Sequence, residues 1–426
     1  MQNKLSRAIR SPRVLYAVTA LVSTGFFRGR LAYLKKQGFD VHLVSSPGKE
    51  LEETRRQEGI TIHPLPMRRE ISLFADLVSL IRAWLLVRRL KPDIVDASTP
   101  KAGLLFTLSA ALYGVPCRVY TLHGLRLETT SGFLRWLLKQ IERITCACAH
   151  RIICVSSSLR QRAIELRLAS PDKFVVIGSG SVGGVPSERF VLTPQVQRQV
   201  DRLRQELGLL SAKSCSTSTL TSTSSSPSTF PVIGFVGRLV KDKGIKELVD
   251  AFFILKPRFS SLRLLLVGPF EEGDPVDPET RRLIQSTSEI IAVGRIRKED
   301  MVPYYYIMDV LVLPTYREGF PGAPLEAAAA GKPVVTTNAT GAIDSVIDGV
   351  TGFIVPVGDA QALADAIARL LADPALAKQM GEAGRKRVIA EFQPERIWRG
   401  VEKLYREMLG KVKVKWREGN ENEKGE

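Results

Sequence analysis

The segment Val310–Thr337, VLVLPTYREGFPGAPLEAAAAGKPVVTT, decides the fold. Val310–Pro314 is a short apolar run ending in proline. A loop with two glycines follows, then an Ala-rich helix near Ala323–Ala330, then a second β-branched run, Val334–Thr337. Two apolar strands joined by a helix must run parallel, because a parallel pair needs a long crossover. Strands apolar on both sides belong in a sheet covered on both faces.

Outward from this unit the alternation continues. In the second half it predicts strands at Val232–Val236, Arg263–Val267, Ile290–Ala292 and Phe353–Val355, with helices near Lys246–Leu255, Lys298–Tyr306, Ala360–Ala372 and Pro374–Ile389. In the first half strands are expected at Val14–Thr19, Asp40–Ser45, Ile60–His63, Asp93–Ala97, Arg118–His123, Arg151–Val155 and Phe174–Ile177. Their helices lie near Gly29–Gln37, Leu73–Leu90, Ala102–Tyr113, Gly132–Ala149 and Ser157–Leu168. The chain therefore reads as α/β, two Rossmann-like doubly wound domains, residues 1–190 and 191–393. Such domains in succession face each other across a deep cleft at the carboxyl ends of their strands, where ligands bind. A last helix, 394–410, is expected to pack back on the first domain, and 411–426 reads as a charged tail. Ser214–Thr229 holds 13 Ser/Thr in 16 residues. It cannot bury enough apolar surface to form a core, so 211–230 reads as a flexible insertion.

Composition narrows the class. With 426 residues, 44% hydrophobic and 25% charged, the chain is long enough for two or three globular domains. No apolar run approaches the roughly 18 residues a spanning helix needs. Five cysteines at irregular spacing fit a reducing compartment rather than a disulfide framework. Basic Met1–Arg13 before apolar Val14–Val22 invites a signal-peptide reading. The short β-branched stretch suits a first buried strand better, and a cytoplasmic protein is expected. The net charge of +17 is unevenly placed: residues 1–190 hold 29 Lys and Arg against 14 Asp and Glu, the remainder 32 against 30. A large anionic partner should therefore meet the first half.

Two loops carry chemistry. The helix that begins near Ala323 offers unpaired N–H groups and the positive end of its dipole to an anion. Glu318 and Glu326 flank that point, and carboxylates beside an anion site suit a ligand with hydroxyls beside a phosphate. A nucleotide sugar is such a ligand. The second loop, Gly237-Arg238 to Lys243-Gly244, follows the first strand of the second domain. Its two cations could neutralise a departing diphosphate without a metal. No Asp-x-Asp occurs, His42, His63 and His150 show no ligand spacing, and neither metal nor cofactor is expected. Gly178–Gly183 matches GxGxxG, but Pro186 and no helical pattern follow it.

Glu-x7-Glu, Gly237-Arg238…Lys243-Gly244 and Thr340-Gly341…Asp348-Gly349…Gly352-Phe353 together closely resemble glycosyltransferase family 4, retaining enzymes of GT-B fold. Phe27-Arg28-Gly29, Thr99–Gly103, Thr121–Gly124 and Gly178–Ser181 resemble the bacterial branch that builds capsule, exopolysaccharide and lipid-linked glycans. The resemblance implies that Arg238 and Lys243 bind and stabilise the donor diphosphate, and that Glu318 holds sugar hydroxyls. The backbone of Gly319, Phe320 and Gly322 would lie near sugar and phosphate, Glu326 on the ribose, and the base near Arg295 and Ile296. Gly237, Ala323 and Leu325 complete the donor-binding set. His123 would meet the transferred sugar, and Gly25 and Gly29 are possible loop contacts from the first domain.

The reading is retaining transfer of a hexose or N-acetylhexosamine, from a donor expected to be UDP-linked, to a lipid-linked or polysaccharide acceptor. The rivals are a nucleotide-sugar epimerase of the same fold and a basic nucleic-acid-binding protein. The second lacks any recognised nucleic-acid motif. Apolar Leu73–Leu90 and Gly132–His150, both interleaved with Arg and Lys, are candidates for contact with an anionic membrane surface, on the inner face of the cytoplasmic membrane.

Overall fold

The computed structural model describes residues 10–19, 27–67, 72–210 and 230–422. They form two compact units: the chain through Gly184 together with everything from Pro394 on, and Val185–Gln393.

The first unit holds strands β1 (Arg13–Ala17), β2 (Asp40–Ser45), β3 (Thr61–Pro64), β4 (Ile94–Ser98), β5 (Cys117–Leu122), β6 (Arg151–Cys154) and β7 (Phe174–Val176). They make one parallel sheet in the order β3-β2-β1-β4-β5-β6-β7. Helices α1 (Arg30–Lys36), α2 (Lys49–Glu58), α3 (Leu73–Leu90), α4 (Pro100–Tyr113), α5 (Gly132–Cys148) and α6 (Ser157–Glu165) connect them. All five residues of β4 are buried, as the central strand of a sheet covered on both faces must be.

The second unit starts with α7 (Pro194–Glu206) and continues through β8 (Val232–Val236), α8 (Ile245–Leu255), β9 (Arg263–Val267), α9 (Pro278–Ser286) and β10 (Ile290–Gly294). Then come α10 (Val302–Ile307), β11 (Val310–Leu313), α11 (Gly322–Ala329), β12 (Val334–Thr337), β13 (Gly352–Val355), α12 (Ala360–Ala372) and α13 (Pro374–Glu391). The sheet is parallel, ordered β10-β9-β8-β11-β12-β13. Its order reverses at β8, and ligand crevices of open α/β sheets lie at such switch points.

The last helix, α14 (Pro394–Asn422), belongs to the first unit. Val401, Leu404, Tyr405 and Met408 enter the core that Val14, Tyr16 and Leu34 begin. The helix runs through the segment expected to be a tail after 410. The first unit also ends earlier than the expected 190. Val185 N–H donates to Phe392 O at 2.7 Å, and Phe190 meets the ring of Tyr305 edge-on at 5.9 Å. Both partners lie in the second unit, so residues 185–190 fold with it.

Three helices escaped the hydrophobic pattern. Of ten residues, α2 buries Leu51 and Glu58, and α7 and α9 bury one and two residues. Their mostly polar composition leaves too few apolar residues to mark a helix by periodicity. The insertion 211–230 lies outside the described residues except Phe230, whose N–H donates to Leu209 O at 3.3 Å. The chain thus leaves and re-enters the second unit at one place.

Candidate functional site

The carboxyl ends of β8 and β11 in the second unit bring two predicted loops together. Gly244 closes the first, with φ +68°, and a Cβ there would stand 2.0 Å from Pro314 O at the end of β11. Only glycine permits both the left-handed backbone and that approach. Asp242 then ties the loops. Its carbonyl accepts from Tyr316 N–H at 2.9 Å and from Thr315 Oγ1 at 3.0 Å. Its carboxylate takes both arms of Arg317, Nε at 2.9 Å and Nη2 at 2.7 Å. Both nitrogens converge on the one oxygen Oδ2, a charge-assisted contact that holds the two loops together.

Within that frame the Lys243 ammonium donates to the Glu318 carboxylate, with both side chains mostly buried. The backbone behind Glu318 is held as tightly. Glu318 N–H donates to Thr340 O at 2.9 Å. Gly341 has φ +77°, and a Cβ there would meet Gly319 O at 2.3 Å and Glu318 O at 2.6 Å. Thr340-Gly341, part of the family pattern, therefore serves as the floor under Glu318 and Gly319.

The second carboxylate is oriented too. Tyr305, fully buried on α10, donates its hydroxyl to Glu326 Oε2 at 2.7 Å. Burial, then the Glu326 charge, raises the Tyr305 phenol well above its ordinary pKa, so it stays a donor. Glu326 is thus a half-buried, fixed acceptor on the second turn of α11. Leu325 is buried in the core, while Gly322 is exposed and Ala323 partly exposed at the start of α11. Phe320 is buried against Phe392 at 5.5 Å.

Other predicted residues stand apart from this pair. Gly237 N–H donates to Val267 O at 2.9 Å, in register with the sheet. Arg238, half-exposed, pairs with Glu271 at 2.7 Å in the loop after β9, not with either site carboxylate. Each of the two cations expected on this loop has an acid partner. Arg295 is exposed and Ile296 partly so, directly beyond β10.

In the first unit, His123 follows the end of β5. Burial, then the positive charge of Arg30, lowers its pKa to about 3, so the imidazole is neutral at physiological pH. Arg30 is itself buried, its guanidinium 4.7 Å from the Phe27 ring centroid. Below lies a buried chain: Thr121 Oγ1 donates to Asp96 Oδ1 at 2.8 Å, and Tyr405 Oη donates to Asp96 Oδ2 at 2.6 Å. Gly29 has a structural task. Its N–H donates to Glu58 Oε1 at 2.5 Å, and its α-carbon abuts Trp398 so closely that a Cβ would lie 2.6 Å from the indole. That amide is committed inside the unit. Gly25 lies outside the described residues.

The described residues contain no cluster of three His, Cys, Asp or Glu side chains placed to hold a metal ion. Sequence reasoning missed Tyr305, Asp242 and Arg317. The tyrosine run 304–306 was the legible hint, since a buried tyrosine seeks a partner for its hydroxyl.

Family models for the glycosyl transferase 4-like domain and for glycosyl transferases group 1 match residues 27–180 and 218–387. The capsular polysaccharide biosynthesis glycosyltransferase CapM of Staphylococcus aureus is 37% identical over 402 residues, 94% of this chain and 98% of that protein. The chain belongs to the GT-B glycosyltransferases. A second relative of this glycosyltransferase is the Escherichia coli UDP-Gal:alpha-D-GlcNAc-diphosphoundecaprenol alpha-1,3-galactosyltransferase, 26% identical over 88% of this chain and 91% of that one. Among solved structures, Anabaena HepE in complex with UDP-glucose superposes with TM-score 0.71 at 19% identity, covering 92% and 99% of the two chains. At that identity it speaks for the fold.

Proposed function

We propose that this glycosyltransferase moves a hexose or N-acetylhexosamine from a UDP-linked donor to a lipid-linked or polysaccharide acceptor in cell-surface glycan synthesis. Transfer proceeds with anomeric retention and without a metal, as the family 4 pattern implies. The observation that carries the reading is the Lys243–Glu318 pair, held by the Asp242–Arg317 clamp and the Gly341 floor beside the start of α11. A cation, a carboxylate and a helix N-terminus suit a sugar hydroxyl next to a phosphate. Supporting it are the capsule relative and the relative whose name gives a UDP-sugar donor and a lipid diphosphate acceptor.

On this reading Lys243 and Arg238 stabilise the leaving diphosphate. Glu318 aligns the sugar, and Glu326, oriented by Tyr305, accepts from the ribose hydroxyls. His123 is neutral and can accept or donate one hydrogen bond to the transferred sugar. The acceptor's proton passes to the leaving phosphate, so the protein supplies position and charge rather than a nucleophile.

The test is release of UDP or GDP from a panel of nucleotide sugars, with and without an undecaprenyl-diphosphate-sugar acceptor, in EDTA. The expected result is acceptor-dependent UDP release that EDTA leaves intact, with an α-linked product by NMR from an α-linked donor. Donor consumed with no acceptor and no UDP released would establish the epimerase rival. An inverted product would overturn retention, and activity restored only by a divalent cation would overturn metal independence.

A further inference from the structure

One buried cation of the first unit lacks an acid to hold. Arg30, on the first turn of α1, is 5% exposed, and among the described residues it is the only buried arginine. Its Nε is buried without a hydrogen-bond partner among those residues. Less buried arginines of the same unit are satisfied. Arg13 donates to Asp40 at 2.6 Å, and Arg118 donates to the carbonyls of Cys148 and Val115 at 2.6 and 2.9 Å. The Arg30 charge acts on Asp96, but both oxygens of that carboxylate are taken, by Thr121 and Tyr405. Aromatic faces stand in for an acid. The guanidinium lies 4.7 Å from the Phe27 ring centroid and 5.6 Å from that of Tyr16. The two rings are fully buried 5.1 Å apart, and the Tyr16 hydroxyl is tied to that of Tyr405 at 2.7 Å. A cation over aromatic rings recovers part of its lost hydration but gains no acceptor.

The sheet beneath shares the deficit. Tyr16, Val41, Leu43 and Ile94 enter the same core as Leu31 and Leu34 of α1. Side chains alternate along a strand, so Ser45, two beyond Leu43, and Ser98, four beyond Ile94, lie on that face too. They are the last residues of β2 and β4, the strands on either side of β1. Both are fully buried, and neither Oγ has a hydrogen-bond partner among the described residues. Native interiors leave few such groups unmet. An orphaned guanidinium nitrogen and two orphaned hydroxyls therefore collect at one end of one sheet face. It is the carboxyl end, where open α/β sheets bind ligands, and His123 at the end of β5 feels the same Arg30 charge.

A guanidinium fork matches phosphate oxygens, and serine hydroxyls can donate beside it. A neutral sugar would leave the charge unmet. On the proposed reading the donor diphosphate already has Lys243 and Arg238, which leaves the acceptor's. We propose that Arg30 is a substrate-binding residue that takes a phosphoryl oxygen of the acceptor's lipid diphosphate at the strand ends of the first unit. The inference rests on the proposed function for the identity of the acceptor, and its test does not require turnover.

Farnesyl diphosphate is the probe, titrated calorimetrically into the full chain with and without saturating UDP. The wild-type protein is expected to bind it in both conditions and to ignore farnesol. R30M should weaken binding about 30-fold, the scale of a charged hydrogen bond. R30K should recover part of the loss, because an ammonium keeps the charge without the fork. Thermal melts separate this from a structural role. With no acid partner to lose, R30M should melt no lower than wild type; a lower melt would make Arg30 the counter-charge of Asp96 and overturn the proposal. Unchanged affinity in R30M would also overturn it, as would competition by UDP, which would assign the diphosphate to the donor loops. In kinetics, R30K should raise the acceptor KM about ten-fold for a lipid-diphosphate sugar and leave it within about twofold for the same sugar as a neutral alkyl glycoside. Equal effects on both acceptors would overturn the phosphate contact. Arg30-dependent binding of the probe by a protein that turns over no nucleotide sugar would strike the transferase reading alone.

Discussion

The two units share an architecture and differ in where they place their irregularities. In the second, helices α8 and α12 bury their apolar stripes, and the unusual features gather at the strand ends: close glycines, the Asp242–Arg317 clamp and paired carboxylates. In the first, the strand ends rest on a buried polar chain through Asp96. Other unusual features lie on the outside, where α5 is reversed, burying Glu142 and exposing Trp136. A parallel sheet covered on both faces sets the position of its loops, and the two units depart from ordinary packing in different places.

The sharpest way to break this comparison is at Lys243. K243A should lower turnover by about 10²–10³-fold, the scale for losing one preorganised electrostatic group. It should also destabilise the second unit by about 3 kcal/mol, because Glu318 is left mostly buried and unpaired. Steady-state kinetics and chemical denaturation check the two effects. The double variant K243A/E318A should fall well short of the sum of the singles in stability. If K243A keeps turnover within threefold of wild type, the strand ends of the second unit are structural only.

The reversed helix of the first unit offers a pH test. Burial raises the Glu142 carboxyl from 4.5 to about 7, although Tyr120 donates to it at 3.0 Å. Between those values the folded state holds more protons than the unfolded one, so stability falls as pH rises from 4.5 to 7 and stays lowered above. E142Q should therefore stabilise the protein by roughly 2–3 kcal/mol at pH 8 and by little at pH 4.5, read from denaturation midpoints. A gain equal at both pH values would mean that the carboxyl is not the titrating group. His123 has the opposite sign. Its pKa of about 3 means the unfolded state takes the proton first, so its contribution grows as pH rises from 3 to 6.5 and is complete above.

The smallest expected effect concerns Tyr305. Y305F removes the hydroxyl that orients Glu326 and should raise KM about ten-fold with kcat nearly unchanged, since ribose contacts act equally in ground and transition states. Calorimetry with UDP checks it. Unchanged UDP affinity would take Glu326 out of the nucleotide contacts.

Much was legible before any coordinates. Short β-branched runs such as Val310–Leu313 and Val334–Thr337 can be buried only in a parallel sheet, and both form adjacent strands with the expected helix between them. Glu318, Glu326 and Lys243 stood out because charged residues beside glycines at a strand end have few structural uses. Local pattern also sufficed for α3 and α5, whose apolar content was plain in the sequence.

What the sequence could not specify was which side of those helices faces out, or which acid partners which base. Periodicity ranks faces by hydrophobicity, and on α5 the tertiary structure chose the face with Glu142 for the interior. Arg238 and Lys243 lie five residues apart, yet they pair with Glu271 and Glu318 on loops after different strands. Gly29 is also the seat of Trp398, which is more than three hundred residues away in the chain. The sequence by itself determined the strands, their parallel direction and the charged loops, because those follow from local periodicity and the length of the crossovers. Ion pairing, helix orientation and close glycine contacts were decided only by the folded structure, because each depends on groups distant in sequence meeting at a few ångströms.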